Sequence, residues 1–285
     1  MTTRTDRAPL PDPPSTGSST PGSGDSPGGD HRRIAPAASK QWWVLTTRAL
    51  RTMARNGELV VAVIAPVVFG LGFYLPLKFV MQLQGIDYAQ FLMPIIVLQS
   101  MAFTAISAAQ LAASEASTGL TTRMQTMPVV AGIPMLARLA AGTVRSIVSL
   151  IAAIGFGYAI GFRFSAGFGQ AALFCATALA ISVLLCLGAD AIGSLSKSPE
   201  ATSQALTLPQ LILGMLSCGF VPESGFPEWI RPFVRNQPIS QFSFAMRDMA
   251  QDGVTWEVFR PSAFWMIGLA VVCLPAALWA TTRRG

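Results

Sequence analysis

Glu115, Arg123 and Arg138 are the charged side chains of one polar stretch, EASTGLTTRMQTMPVVAGIPMLAR, set between two strongly apolar runs. The chemistry open to them is electrostatic. A carboxylate and a guanidinium near the start of such a stretch, with Leu120, Met124 and Met127 at helical spacing, make a charged and apolar contact face for another protein. Pro128 ends that short helix, because the residue before a proline is pushed out of helical geometry. We read residues 115–138 as a cytosolic coupling loop, an elbow that receives force from a partner; a solvated loop whose charges only set topology is the plainer reading.

Covalent chemistry finds no residues to carry it. The phosphate-cradling pattern GxxxxGK followed by Ser or Thr is absent, as are HExxH, GxSxG and CxxC. The single histidine, His31, stands beside Arg32 and Arg33 in a polar tail and reads as part of a solvated basic cluster. Cys175, Cys186, Cys218 and Cys273 lie in apolar runs without paired spacing, as small hydrophobes do. The expectation is no enzyme, no metal and no directly bound cofactor. A secondary transporter would place ionisable groups at mid-membrane. Here Arg145 and Asp190 fall near expected cytosolic ends of spans, where we expect a snorkelling arginine and a helix-terminal carboxylate.

The elements that must position these residues follow from composition. Hydrophobic residues are 52% and charged residues 12%, with mean hydropathy +0.50; a soluble domain carries about 25% charged residues. This is the composition of an integral membrane protein, whose spans each need roughly 20 apolar residues. The pattern predicts an all-α fold with six transmembrane helices, at 59–79, 91–114, 139–161, 169–189, 204–221 and 262–280. Residues 57–285 form the six-span domain. Residues 1–38, rich in Pro, Gly, Ser and Thr, read as a disordered cytosolic tail. No signal-peptide core follows Arg4 and Arg7, so an uncleaved cytosolic N-terminus is expected.

Residues 39–56 read as an amphipathic helix. Trp43, Thr47, Leu50 and Ala54 fall on one face, with Trp42, Ala49 and Met53 beside it and Arg48, Arg51 and Arg55 opposite. Such a helix suits the headgroup region of an anionic leaflet, or else simply extends the first span. With both termini cytosolic, 13 Lys and Arg lie inside and 6 outside, Arg145 being within a span. That is a positive-inside bias for a multi-pass plasma-membrane protein.

The outer segment, 222–261, has structure of its own. After Pro238, Ile239, Phe242, Met246 and Met249 recur at helical spacing and Gly253 follows. Phe226, Trp229, Ile230 and Phe233 suggest a shorter aromatic helix ahead of it. The two lie in the outer interface, dip back into it, or form a covering loop. The residues assigned to an outer gate are Pro222, Pro227, Trp229, Phe233, Pro238, Phe242, Met246 and Arg247.

Two sets of residues carry a resemblance. Glu115, Gly119, Arg123 and Pro128 are spaced as in the cytosolic loop of ABC-2 type exporter permeases, and Ser217, Pro222, Pro227, Trp229, Pro238 and Arg247 match that family's outer helices. The wording RPFVRNQPISQF is similar to actinobacterial permeases of the daunorubicin-resistance (DrrB-like) group, which includes exporters of mycobacterial surface lipids. The resemblance covers about Lys40 to Arg284. It departs at Ser117, where a second acid is common, and at Cys218, where a Gly is usual. It implies a half-permease paired with a second permease subunit, homologous or identical, and with two copies of a separate ATPase that binds ATP and Mg. The implied cargo is a complex surface lipid or an aromatic antibiotic. The alternative is a membrane scaffold that anchors an envelope or lipid-synthesis complex without transport.

Overall fold

A computed structural model describes residues 38–118, 132–196 and 198–282. The tail before Ala38, and Gly119, Leu120, Arg123, Met124, Met127 and Pro128 of the elbow, lie outside the described residues. Among the described residues every regular element is helical. In order they are α1 (Ala38–Arg55), α2 (Glu58–Leu83), α3 (Tyr88–Ser117), α4 (Ile133–Ile160), α5 (Phe168–Leu195), α6 (Pro199–Met215), a 3-10 turn (Glu223–Gly225), α7 (Arg231–Asn236), α8 (Pro238–Gln251) and α9 (Trp256–Thr282). Five of them, α2, α3, α4, α5 and α9, are long and apolar enough to cross a membrane.

Local chemistry sets several of the boundaries. Asp87 caps α3, its Oδ1 accepting from Ala89 N at 3.1 Å and Gln90 N at 3.4 Å. Ser198 caps α6 ahead of Pro199, which as a first-turn residue loses no helical hydrogen bond. Gly161 ends α4 at φ 108°, where a side chain would be strained. Pro66, Pro76 and Pro94 lie inside α2 and α3 without ending them, as membrane helices tolerate.

α3 is the axis of the bundle. Its most apolar window is 72% buried, against 22% for α2 and 17% for α9. Lipid tails are as apolar as leucine, so helix association here depends on close packing rather than on escape from water. Small residues provide it. A Cβ added at Gly193 of α5 would stand 2.1 Å from the Ala109 carbonyl oxygen of α3, so the two backbones touch. About three turns away along α5, the Ser146 and Ser182 hydroxyls of α4 and α5 meet at 2.6 Å. The main core is filled by Leu92, Met93, Ile95, Ile96, Met101 and Ile181.

The fifth expected span, 204–221, takes a different form. α6 begins five residues earlier and ends at Met215, six residues before Val221. Its end is buried against α3, because Gly214 lies against the Gln99 side-chain amide. An end in that position leaves carbonyls that water cannot reach. The chain answers with a hairpin made of α7 and α8. Gln237, at its tip, donates from Nε2 to the carbonyls of Leu213 at 3.2 Å and of Leu216. Ser240 Oγ accepts from Cys218 N at 2.9 Å. α8 then runs back until the Ala250 carbonyl accepts from Ser165 N at 2.9 Å in the turn between α4 and α5. The outer segment therefore folds back into the bundle. Its tip lies near the level of Gln99, about 17 Å along α3 from Tyr88.

Candidate functional site

The elbow is rooted at Glu115, in the last turn of α3, and at Arg138, in the second turn of α4. One guanidinium joins the two roots and a third helix. Arg138 Nη1 lies 2.9 Å from Glu115 Oε2, while Nε and Nη2 donate to Asp190 Oδ1 and Oδ2 at 2.6 and 3.0 Å. The side-on fork to Asp190 is the geometry in which arginine binds a carboxylate most specifically. The three side chains are mostly enclosed, with side-chain exposures of 14% for Arg138, 11% for Asp190 and 24% for Glu115. Glu115 is thus engaged at the elbow's root.

A second pair lies beside the first. Arg145 Nη1 meets Glu58 Oε2, from the first turn of α2, at 2.9 Å. The expected snorkelling arginine and helix-terminal carboxylate are corrected here. Arg145 and Asp190 are buried and paired, because Glu58 and Arg138 stand on neighbouring helices within reach. A sequence shows the charges, but the partner helices that pair them are tertiary.

α1 packs on α4 and α2 beside these pairs. Its docked side carries Thr46 and Met53, both buried, with Trp42, Leu45 and Ala49 half-buried. Trp43 instead is 66% exposed, on the free side with Arg48, Arg51 and Arg55. The side that packs on the bundle is thus distinct from the one that carries Trp43. The arginine stripe keeps its exposed position and gains a tryptophan beside it.

At the opposite end, Arg247 holds the hairpin in place. Its guanidinium lies 3.7 Å from the Phe91 ring centroid, and Nη2 donates to Phe91 O at 3.1 Å and to Cys218 O and Ser243 Oγ at 3.4 Å. Phe242 and Met246 are buried, and so is Met249 on the same face. Trp229 and Phe233 are 80% and 52% exposed. Pro222, Pro227 and Pro238 mark the 3-10 turn, the approach to α7 and the first residue of α8.

Two features escape a reading of the sequence. Two buried amides meet across helices, Gln210 Nε2 of α6 donating to Gln99 Oε1 of α3, and the Gln237 amide of the hairpin tip reaches the end of the same α6. Glutamine inside apolar runs is the available signal. Phe220, just after the α6 break, stacks on Phe73 at 4.2 Å and meets Phe69 edge-on at 5.8 Å. Tyr88 donates to the Phe220 carbonyl at 3.4 Å. No spacing in the sequence announces that contact.

The arrangement has no group of three or more potential metal ligands among the described residues. What it can do is mechanical: an ion-paired root at one end and a hairpin inserted at the other. A family described as "ABC-2 family transporter protein" matches residues 73–279. The chain is 36% identical over 267 residues to the doxorubicin resistance ABC transporter permease protein DrrB of Mycobacterium tuberculosis H37Rv, spanning 89% of this chain and 92% of that protein. It is 26% identical over 165 residues to the probable doxorubicin resistance ABC transporter permease protein DrrC of the same strain, spanning 58% of this chain and 59% of that protein.

Proposed function

This chain belongs to the ABC-2 family of transporter membrane proteins, and on that premise we infer that it is the permease subunit of an ATP-driven exporter that moves a hydrophobic product out across the plasma membrane. The observation that carries the mechanism is the Arg138 clamp. A permease that hydrolyses nothing must take up its partner's motion through a contact that differs between two states. An elbow whose roots are tied to each other and to α5 passes a push to three helices at once.

The ATPase is a separate subunit, present in two copies and holding ATP and Mg. A second permease, homologous or identical, completes the pathway; similarity to both DrrB and DrrC supports a pair. In this reading α6 with its hairpin serves as the sixth crossing, both termini are cytosolic, and the free side of α1 lies on the inner-leaflet headgroups through Trp43, Arg48, Arg51 and Arg55. Gly119, Leu120, Arg123, Met124, Met127 and Pro128 form the ATPase contact, with Glu115 at its root. Phe242, Met246 and Arg247 hold the outer gate, with Trp229 and Phe233 at its rim.

The names of the relatives favour an aromatic antibiotic over a complex lipid as cargo. The test is ATP-dependent accumulation of a fluorescent anthracycline in inside-out vesicles that contain this chain and its ATPase. Uptake that needs ATP and both proteins is expected. No uptake of the anthracycline, with extraction of a long-chain lipid instead, would move the cargo to the lipid class.

A further inference from the structure

The hairpin and the last helix enclose a groove that none of the transport machinery uses. It is a cavity of about 830 Å3 lined on one side by Arg231, Arg235 and Asn236 and on the other by Arg260, Phe264 and Trp265. It sits four to nine residues into α9, about 6–14 Å along that helix from the end opposite the elbow. The Trp265 indole donates to Asn236 O at 3.2 Å and so fixes the two walls together.

The charges of the groove are unevenly used. Arg231 donates to Phe226 O and Ser224 O and stands 3.9 Å from Glu228, whose side chain is 91% exposed. Glu223 adds a second carboxylate to the lining. Among the described residues, Arg235 and Arg260 have no hydrogen-bond or ion-pair partner for their guanidinium groups. Three guanidinium groups against two carboxylates leave the lining net positive. Below the groove, Phe264, Ile267, Val271 and Leu274 are all exposed and recur at i, i+3, i+7 and i+10 down one face of α9. A cationic recess that opens onto an apolar helical stripe has the shape of an amphiphile: a phosphate above, hydrocarbon below.

We propose that this groove is a binding site for an anionic phospholipid of the outer leaflet, with its phosphate between Arg235 and Arg260 and an acyl chain along α9. Trp265 and Phe264 lie at the boundary between the two parts, where aromatic side chains are favoured. The bound lipid fills the seam between hairpin and last helix, so it braces the gate from outside the pathway. This goes beyond the exporter reading and does not depend on what the cargo is.

Native mass spectrometry of the purified full chain, offered phosphatidylglycerol and phosphatidylcholine in equal amounts, tests it. The unaltered chain should retain phosphatidylglycerol preferentially, and the preference should fade as salt is raised before ionisation. Arg235→Gln and Arg260→Gln should each cut it roughly fivefold, and the double variant roughly twenty-five-fold. Arg235→Lys and Arg260→Lys should keep most of it, and inorganic phosphate alone should not displace the lipid. Retention that ignores salt in the unaltered chain, or an undiminished preference in the double variant, would overturn the proposal. So would displacement by inorganic phosphate, which would make this a simple anion site. Efficient disulfide trapping of two Phe264→Cys chains in the membrane would overturn it as well, since a second copy would then cover the groove.

Discussion

Replacing Arg138 by methionine removes one guanidinium and leaves two carboxylates, Asp190 and Glu115, without the partner they shared in a mostly enclosed site. Breaking a buried pair by deleting one member costs about 3–5 kcal/mol, because the remaining charge has lost both water and partner. Glu115, a quarter exposed, recovers some hydration, so the lower part of that range, about 3 kcal/mol, applies here. Asp190→Leu alone should cost less, since Arg138 keeps Glu115 at 2.9 Å. The double variant R138M/D190L replaces the fork with packed hydrocarbon and should recover much of the loss, giving a coupling energy of about 1.5–3 kcal/mol. Thermal unfolding of the purified protein in nanodiscs, followed by the fraction that remains monodisperse, reads the four corners of the cycle. Strictly additive effects, with coupling below about 0.5 kcal/mol, would refute the clamp as an energetic unit.

Three further outcomes follow from the same contacts. Gln237→Leu leaves the carbonyls of Leu213 and Leu216 without their donor inside the bundle, so a loss of about 1–3 kcal/mol is expected, with faster proteolysis at the hairpin as the readout. Arg247→Met should disorder α8 as seen by amide hydrogen exchange, whereas Arg247→Lys, which keeps the charge but loses the flat stack on Phe91, should fall between the two. Gly193→Leu must push α5 away from the Ala109 carbonyl of α3 and should lower yield in the membrane sharply, while Gly155→Leu, where an added Cβ meets nothing within 4 Å, should be tolerated.

The sequence is most informative where one periodicity rules a whole element. The positions of α2 to α5 and α9 follow from run length, and the buried face of α8 follows from Phe242, Met246 and Met249. The early end of α6 did not follow, since Gln204 to Val221 is apolar enough to continue, and its last carbonyls are met by the Gln237 amide from the hairpin together with Ser217 Oγ, which donates to Gly214 O at 2.6 Å. The site was half legible. Glu115 and Arg138 stand out as the rim of a polar stretch, but their meeting requires α3 and α4 to close on each other, and Asp190 joins from 52 residues away. The side of α1 that docks was not legible for a related reason: it is chosen by what α4 offers, and Trp43 stays exposed.

If the elbow carries the ATPase's motion into the helices as proposed, the decisive assay is ATP hydrolysis by the purified permease and ATPase complex with and without an added anthracycline. Met124→Asp places a charge on the apolar side of the contact, and Arg123→Glu reverses its polar side. Either change should remove anthracycline-stimulated hydrolysis and export, with the permease still present in the membrane and its clamp intact by the unfolding assay. Stimulated hydrolysis at the unaltered level in both variants would contradict it.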